Sequence, residues 1–477
     1  MRFEFFYVIL YVTLPITLSI IVLPQNPLCG FNTFENYDYT SLNSSSLQNL
    51  TRLFSDSPLI QVGFNSFVLD GGWSAFSNGT QSLDEFGLPN PASDRYPDGF
   101  ESISNFLRSN GFHFGLWHIR GIHIDAAKRK LPVKGMEQYT LDQLVDIESV
   151  GGGKNGSCLW APEWLGVNTS HPASQAYYAS VVDKLISLGA DFIKADCFFC
   201  RPCYSDEILM FSNAVKVREE EIILYYSPGG GALPQDGAWS ASNQIASMYR
   251  TITDLDNADW YDWGGIQQAF FTAGNFTASR LHGANGTWPD LDMLPIDKNW
   301  WSEGDLIERA DRGQTIFSLW MIGQYPLFYA GIFPVDTYTL SYFTNPLALA
   351  LNQRSQNASS WFPTRVIYQG NCTCVGDAGS CTIPHGSKDH PVFPCITKWI
   401  ASYEGSISSA YGVMLANLGE DTATVINTSY IELGLESQSQ YAVSNIWTGE
   451  VLGIFNTSFI ISSLRPHASV LLLLSRV

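Results

Sequence analysis

Between Gly30 and Ala330 the chain repeats one unit: a short apolar run ending in polar or small residues, then a stretch with helical spacing. The runs are Gly30–Phe34, Asn65–Asp70, Phe112–Trp117, Ala190–Cys197, Ile222–Ser227, Ser247–Arg250, Trp288–Leu294 and Pro326–Ala330. Between them, Phe100, Ile103, Phe106 and Leu107 share a helical face, with Asp98 as the expected N-cap and Asn110-Gly111 as the stop. A second helix is expected over about 174–188, with Gly189 as its stop, and a third over about 205–217. Parallel strands need long crossovers, and helices are the usual ones. Eight such units predict an α/β fold, a (β/α)8 TIM barrel whose reactive residues gather at the C-terminal strand ends. An open doubly wound sheet is the alternative, but no Gly-x-Gly-x-x-Gly follows any run, so dinucleotide binding loses its usual sign. The connection from about Arg120 to Ser170, with Gly151-Gly152-Gly153, is long enough to read as a functional loop.

Beyond about Asn357 helical periodicity ends. Alternating runs such as Val413–Asn417, Ala423–Asn427 and Val470–Leu474 predict a small antiparallel β domain. The expected division is therefore a leader over 1–24, a barrel over 25–356 and a β domain over 357–477. The 477 residues suit one large barrel and a smaller partner.

The leader starts Met1-Arg2 and runs apolar to Leu23, which reads as a secretory signal long enough to double as an anchor. Asn-x-Ser/Thr sequons at Asn43, Asn49, Asn78, Asn155, Asn168, Asn275, Asn285, Asn357, Asn371, Asn427 and Asn456 agree with that route. There are nine cysteines: Cys29, Cys158, Cys197, Cys200, Cys203, Cys372, Cys374, Cys381 and Cys395. The spacing Cys197-x-x-Cys-x-x-Cys203 admits a metal, but histidine is scarce nearby and an oxidising compartment favours disulfides with one thiol left over. The net charge of −19 argues against nucleic acid and anionic membranes, which need basic patches. Few charges (15%) with 14 Trp and 22 Tyr fit a surface on which sugar C–H faces stack.

The acidic residues at strand ends carry the chemistry. Asp70 ends the second run, Asp196 the fourth, Asp254 follows the sixth, and Asp290 and Asp292 lie on the seventh. One such Asp is unexceptional, because Asp caps helices. Five gathered over one barrel mouth point to reaction chemistry. Strand ends two apart face each other, so Asp196 and Asp254 form a carboxylate pair, and about 5–5.5 Å between such carboxyls suits retaining glycoside hydrolysis. Lys194 points the same way as Asp196 and favours its ionised form.

These residues resemble the motifs of glycoside hydrolase family 27, the α-galactosidase and α-N-acetylgalactosaminidase family. Gly30-Phe-Asn-Thr-Phe34 is similar to its Gly-Trp-Asn-Ser-Trp opening, and Leu69–Trp73 to its Ile-Asp-Asp-Cys-Trp. Phe192–Cys197 resembles the nucleophile motif Leu-Lys-x-Asp-x-Cys, and Tyr249-Arg250 through Asp254 the acid/base motif Trp-Arg-x-x-x-Asp. Trp288–Leu294 is similar to Trp-Asn-Asp-Pro-Asp-Met-Leu, Pro326–Gly331 to Ser-Pro-Leu-Met-x-Gly, and Leu349–Gln353 to the Ile-Asn-Gln barrel end. The resemblance implies a barrel with a C-terminal antiparallel β-sandwich and a double-displacement mechanism. Asp196 would be the nucleophile and Asp254 the acid/base. Asp70, Lys194, Arg250 and Asp292 would bind sugar hydroxyls, with Phe31 and Trp117 as aromatic walls and a Cys158–Cys197 disulfide beside the nucleophile. It implies no metal or organic cofactor. The expected partners are a galactoside-bearing oligosaccharide, glycolipid or polysaccharide and a second copy of the chain as a homodimer, with no nucleic acid; the expected place is extracellular, the cell wall, or a vacuole or lysosome.

Three departures bear on specificity. Gly71 stands where the family has a second Asp, Ser227-Pro228-Gly229 replaces Cys-Glu-Trp or Cys-x-x-Gly, and Arg120-Gly121-Ile122 replaces Ala-Asp-x-Gly. Alternative substrates are therefore β-L-arabinopyranosides and α-N-acetylgalactosaminides, and a glycan-binding relative with weak turnover is the non-enzymatic alternative.

Overall fold

The computed structural model describes residues 21–37, 41–146, 156–158, 160–198, 204–218, 220–227, 244–252, 254–255, 263–279, 281–302, 305–353, 365–369, 372–373, 392–393, 395–402 and 410–477. Eight parallel strands form the barrel: β1 Cys29–Asn32, β2 Ser66–Leu69, β3 His113–Ile119, β4 Phe192–Asp196, β5 Ile223–Ser227, β6 Met248–Arg250, β7 Trp288–Asp290 and β8 Leu327–Tyr329. Their order is β7-β6-β5-β4-β3-β2-β1-β8. The ring closes just past β7, where Leu294 bridges to Tyr329 and exchanges hydrogen bonds with Phe328 and Ala330 at 2.7 and 2.9 Å. The seventh strand is shorter than expected because Asp292 adopts a left-handed backbone, φ 77°, which takes the chain out of the ladder before Leu294 rejoins it.

The strands are buried on both faces, which explains their continuous apolar runs. Neighbouring strands approach closely at Gly30, where an added Cβ would stand 2.6 Å from the Ser66 carbonyl oxygen. Outside the strands pack α1 Ser44–Ser55, α2 Glu101–Ser109, α3 Ser174–Ser187, α4 Ser205–Lys216, α5 Trp263–Ser279 and α6 Leu306–Gly323. Gly189 ends α3 region with φ 97°, the left-handed position a Cβ resists. Asp98 does not cap α2: Gly99 turns at φ 64° and Phe100 holds the cap position without a side-chain bond. The 120–170 connection is not plain loop. Ile122–His123 pairs with Trp164–Leu165, and Pro132–Val133 pairs with Met136–Thr140.

Residues 1–20 of the expected leader lie outside the described residues, but 21–24 belong to the fold. Ile21 bridges to Ile222, the Ser247 hydroxyl donates to the Val22 carbonyl at 2.6 Å, and the Trp288 indole donates to the Pro24 carbonyl at 2.9 Å. These residues sit at the N-terminal ends of β5, β6 and β7, opposite the reactive mouth.

The C-terminal part is antiparallel. Its larger sheet runs β9 Arg365–Gln369, β10 Ile396–Ser402, β11 Ala410–Asn417, β16 Ser469–Arg476, β13 Tyr441–Asn445, β14 Val451–Phe455 in that order, and β12 Ala423–Ser429 pairs with β15 Ser458–Leu464. Their facing sides bury Ile400, Val413, Leu415, Ile426, Phe459 and Leu472 in one core. The other face of the larger sheet joins the barrel core through Trp399, Met414 and Leu471. Polar contacts fix the seam: Trp263 and Gln267 donate to the Leu418 carbonyl at 3.1 and 2.7 Å, and Arg465 forks onto Asp311 at 2.7 and 2.8 Å. Cys200, Cys203, Cys374 and Cys381 lie outside the described residues.

Candidate active site

A pocket opens where the strands end. Asp70 follows β2, Trp117 comes from β3, Lys194 and Asp196 from β4, Ser227 from β5, Arg250 and Asp254 from the end of β6, and all seven line it. The barrel thus gathers six of the eight predicted catalytic and sugar-binding residues at one mouth. Asp290 and Asp292 lie lower, among buried groups.

On one wall, Lys194 Nζ donates to Asp70 Oδ2 at 2.7 Å, and the Asn32 amide donates to the same oxygen at 2.8 Å. Asp70 Oδ1 accepts the Gly71 N–H at 2.8 Å. Burial alone would depress the Lys194 ammonium, but Asp70, Asp196 and Asp292 outweigh it and hold it above its ordinary range.

Asp196 sits between that wall and β3. Trp117 Nε1–H donates to Oδ2 at 2.9 Å, and the N–H of Cys197 donates to Oδ1 at 2.6 Å. Burial pushes its carboxyl up. Lys194, Arg250 and the Trp117 indole pull it down, and the Asp254 charge adds to the rise. Cys197 adopts φ 60°, rare for a residue with a Cβ, and is bonded to Cys158 with Cα atoms 6.1 Å apart.

The other wall is organised by Arg250. It forms ion pairs with Asp254 and, at 3.0 Å, with Asp292 Oδ2. Burial alone would lower the Arg250 guanidinium, but Asp292 and Asp254 hold it far above its ordinary range. The Asp254 side chain is 58% exposed, against 2% for Asp292. Asp290 lies beneath, accepting the Tyr225 hydroxyl at 2.7 Å, and burial and the Asp292 charge push its carboxyl up to about 7.

Two expected sugar contacts are placed elsewhere. Phe31 is fully buried, packed on Phe67, Phe54 and Phe333, because strand alternation turns Asn32 into the barrel and Phe31 out toward the helices. Phe34, past the strand end, lines the pocket instead. Asp292 is not on the wall: its oxygens are taken by Arg250, the Leu255 N–H and the Met293 N–H. Trp160 and Met293 also line the pocket and were not expected. Trp160 stands 6.3 Å from Trp117 and 51% exposed, two residues beyond the disulfide at Cys158, and that spacing was its only signal. Pro228 and Gly229 lie outside the described residues. Among the described residues no group of three His, Cys, Asp or Glu side chains is gathered to hold a metal ion.

Fold and site define a class: a (β/α)8 barrel with a carboxylate-lined pocket at its C-terminal mouth, joined to an antiparallel sandwich. Residues 403–474 match the alpha galactosidase C-terminal beta sandwich domain family. Alpha-galactosidase D of Emericella nidulans is 22% identical over 71% of this chain, and the match spans 44% of that protein's length. A probable alpha-galactosidase of Dictyostelium discoideum is 20% identical over 95% of this chain and 93% of its own. The family 27 β-L-arabinopyranosidase of Geobacillus stearothermophilus superposes with a TM-score of 0.76 at 23% identity, covering 94% of this chain and 96% of that one. The chain therefore shares the fold of this family 27 arabinopyranosidase, and its C-terminal part matches the alpha galactosidase sandwich domain.

Proposed function

We propose that the protein is a retaining exo-glycoside hydrolase that removes terminal α-galactoside-like sugars by double displacement. The observation that carries this reading is the presence of Asp196 and Asp254 in one pocket, on strands two apart, with opposite surroundings. Asp196 is half-buried, fixed by two donors and flanked by cations, as a nucleophile requires. Asp254 is half exposed, where it meets both the leaving group and water. In the first step Asp196 attacks the anomeric carbon while Asp254 gives its proton to the departing oxygen. In the second, Asp254 takes a proton from water, the water oxygen attacks the anomeric carbon, and Asp196 leaves as a carboxylate. Lys194, Asp70 and Arg250 bind sugar hydroxyls between the walls, and Asp292 acts through Arg250.

β-L-Arabinopyranoside is the second reading, favoured by Gly71. An acidic side chain is missing beside Asp70, and this sugar is galactose without the hydroxymethyl group. The arabinopyranosidase likeness supports it as well. The test is hydrolysis of nitrophenyl α-galactoside, β-L-arabinopyranoside and α-N-acetylgalactosaminide, with the anomer released followed by NMR. Retention on one of the first two is expected. Sugar binding without turnover of any would leave a glycan-binding protein and overturn the enzymatic reading.

A secretory destination, in the wall, outside the cell, or in a vacuole or lysosome, is part of the proposal. The apolar leader supports it, as do the sequons, of which Asn43, Asn49, Asn78, Asn275, Asn285, Asn427 and Asn456 are exposed. A mobility shift on endoglycosidase treatment is expected, and no shift would remove that support.

A further inference from the structure

Arg120, where the chain departs from the family motif, is buried with 1% exposure directly after β3. Its backbone N–H donates to the Asp196 carbonyl at 3.0 Å. Each arm of its guanidinium is engaged: Nε to the Cys197 carbonyl at 2.9 Å, Nη1 to Glu207 Oε1 at 2.5 Å, and Nη2 to the Gly156 carbonyl at 2.5 Å. The plane lies 3.8 Å from the Tyr204 ring centre. Glu207, on α4, is buried too, and its second oxygen accepts the Tyr178 hydroxyl and the Val167 N–H.

We propose that Arg120 is a positioning residue that aims Asp196 by pinning the peptide after it. The inference rests on Asp196 being the nucleophile. A residue with a Cβ held left-handed is strained and persists only when its surroundings over-determine it. Cys197 is so held by the disulfide to Cys158 and by Arg120 on its carbonyl. That conformation returns the Cys197 N–H to Asp196 Oδ1 at 2.6 Å. The same guanidinium ties down Gly156, in the loop that carries Cys158 and the pocket tryptophan Trp160. One planar fork therefore sets the nucleophile and the facing loop together, which a lysine point charge cannot do.

Arg120→Lys keeps a cation opposite Glu207 but cannot hold both carbonyls. Its kcat should fall about 10- to 100-fold, as for a misaimed reactive group, with KM within about threefold. The acid limb of kcat/KM should rise by about one pH unit, because Asp196 loses a donor while Lys194, Arg250, Trp117 and Asp254 still face it. Removing one member of a buried pair threatens folding, so the double variant Arg120→Met/Glu207→Met, which strands no charge, should show the same loss of kcat and the same shift. Wild-type kcat and acid limb in either variant, with only a lower Tm, would overturn the proposal. Should the wild type cleave no glycoside, the enzymatic reading fails. The inference is still decided by titrating the Asp196 carboxyl by 13C NMR, where an upward shift in either variant supports positioning and an unmoved titration overturns it.

Discussion

Asp196 and Asp254 are the same side chain at two strand ends of one barrel, yet their surroundings share almost nothing. Asp196 stands on a wall locked at many points: Lys194 on Asp70, the Trp117 indole, the Cys197 N–H, a disulfide and the Arg120 fork. Asp254 stands on a wall held by one arginine and opens to solvent. The difference teaches how one residue type divides a reaction. On the proposed roles, the group that forms a bond is the fixed, charge-supported one, and the group that moves protons is the one with access to water.

The sharpest way to break this contrast is to remove each carboxylate in turn. Asp196→Ala should lower kcat by about 10⁴-fold or more on every substrate, as loss of a nucleophile does. Wild-type turnover in the folded variant would end the assignment. Asp254→Asn should cost about 10²–10⁴-fold, less with a nitrophenyl leaving group than with a sugar, because a good leaving group needs little protonation. Equal losses on both substrates would remove its role as acid.

Smaller changes sharpen the contrast. Trp117→Phe deletes one donor to Asp196, so kcat/KM should drop about tenfold. The rate needs ionised Asp196, whose carboxyl is already raised by burial, so activity should fall in acid at a higher pH than for an exposed Asp, and at a higher pH still in this variant. A pH–rate profile with an unmoved acid limb would contradict that. The smallest catalytic effect is expected at Asp290, under the Arg250 wall. Its folded value of about 7 lies above the unfolded one, so its stabilising contribution is full below the ordinary Asp range and is lost as pH rises through about 7. Asp290→Asn should therefore flatten the decline in Tm between pH 5 and pH 8, and an unchanged slope would count against it.

Legibility in the sequence followed local physics. All eight strands were visible, because strands buried on both faces are short continuous apolar runs between turn residues. The carboxylates were visible because a charge at the end of such a run has few structural uses. What was missed depends on direction. Phe31 and Phe34 are both aromatic and three residues apart, but alternation sends Phe31 to the core and only Phe34 reaches the pocket. Asp98 suits a cap by residue type, but the turn at Gly99 starts the helix past it. Residues 21–24 read as the end of an apolar leader, and in the fold they seat at the N-terminal ends of β5, β6 and β7.

The sequence by itself determined the repeat, the change of texture after the barrel, and which carboxylates stand at which strand ends. These are written in periodicity and in motifs a few residues long. Tertiary structure alone decided which of those residues share a pocket, which oxygen each donor takes, and what Arg120 does. Its partners Gly156, Cys197 and Glu207 lie 36, 77 and 87 residues away and meet only when the barrel closes. A guanidinium declares a need for acceptors, but only the fold supplies them, since a buried charge is costly unless it is paired and hydrogen-bonded.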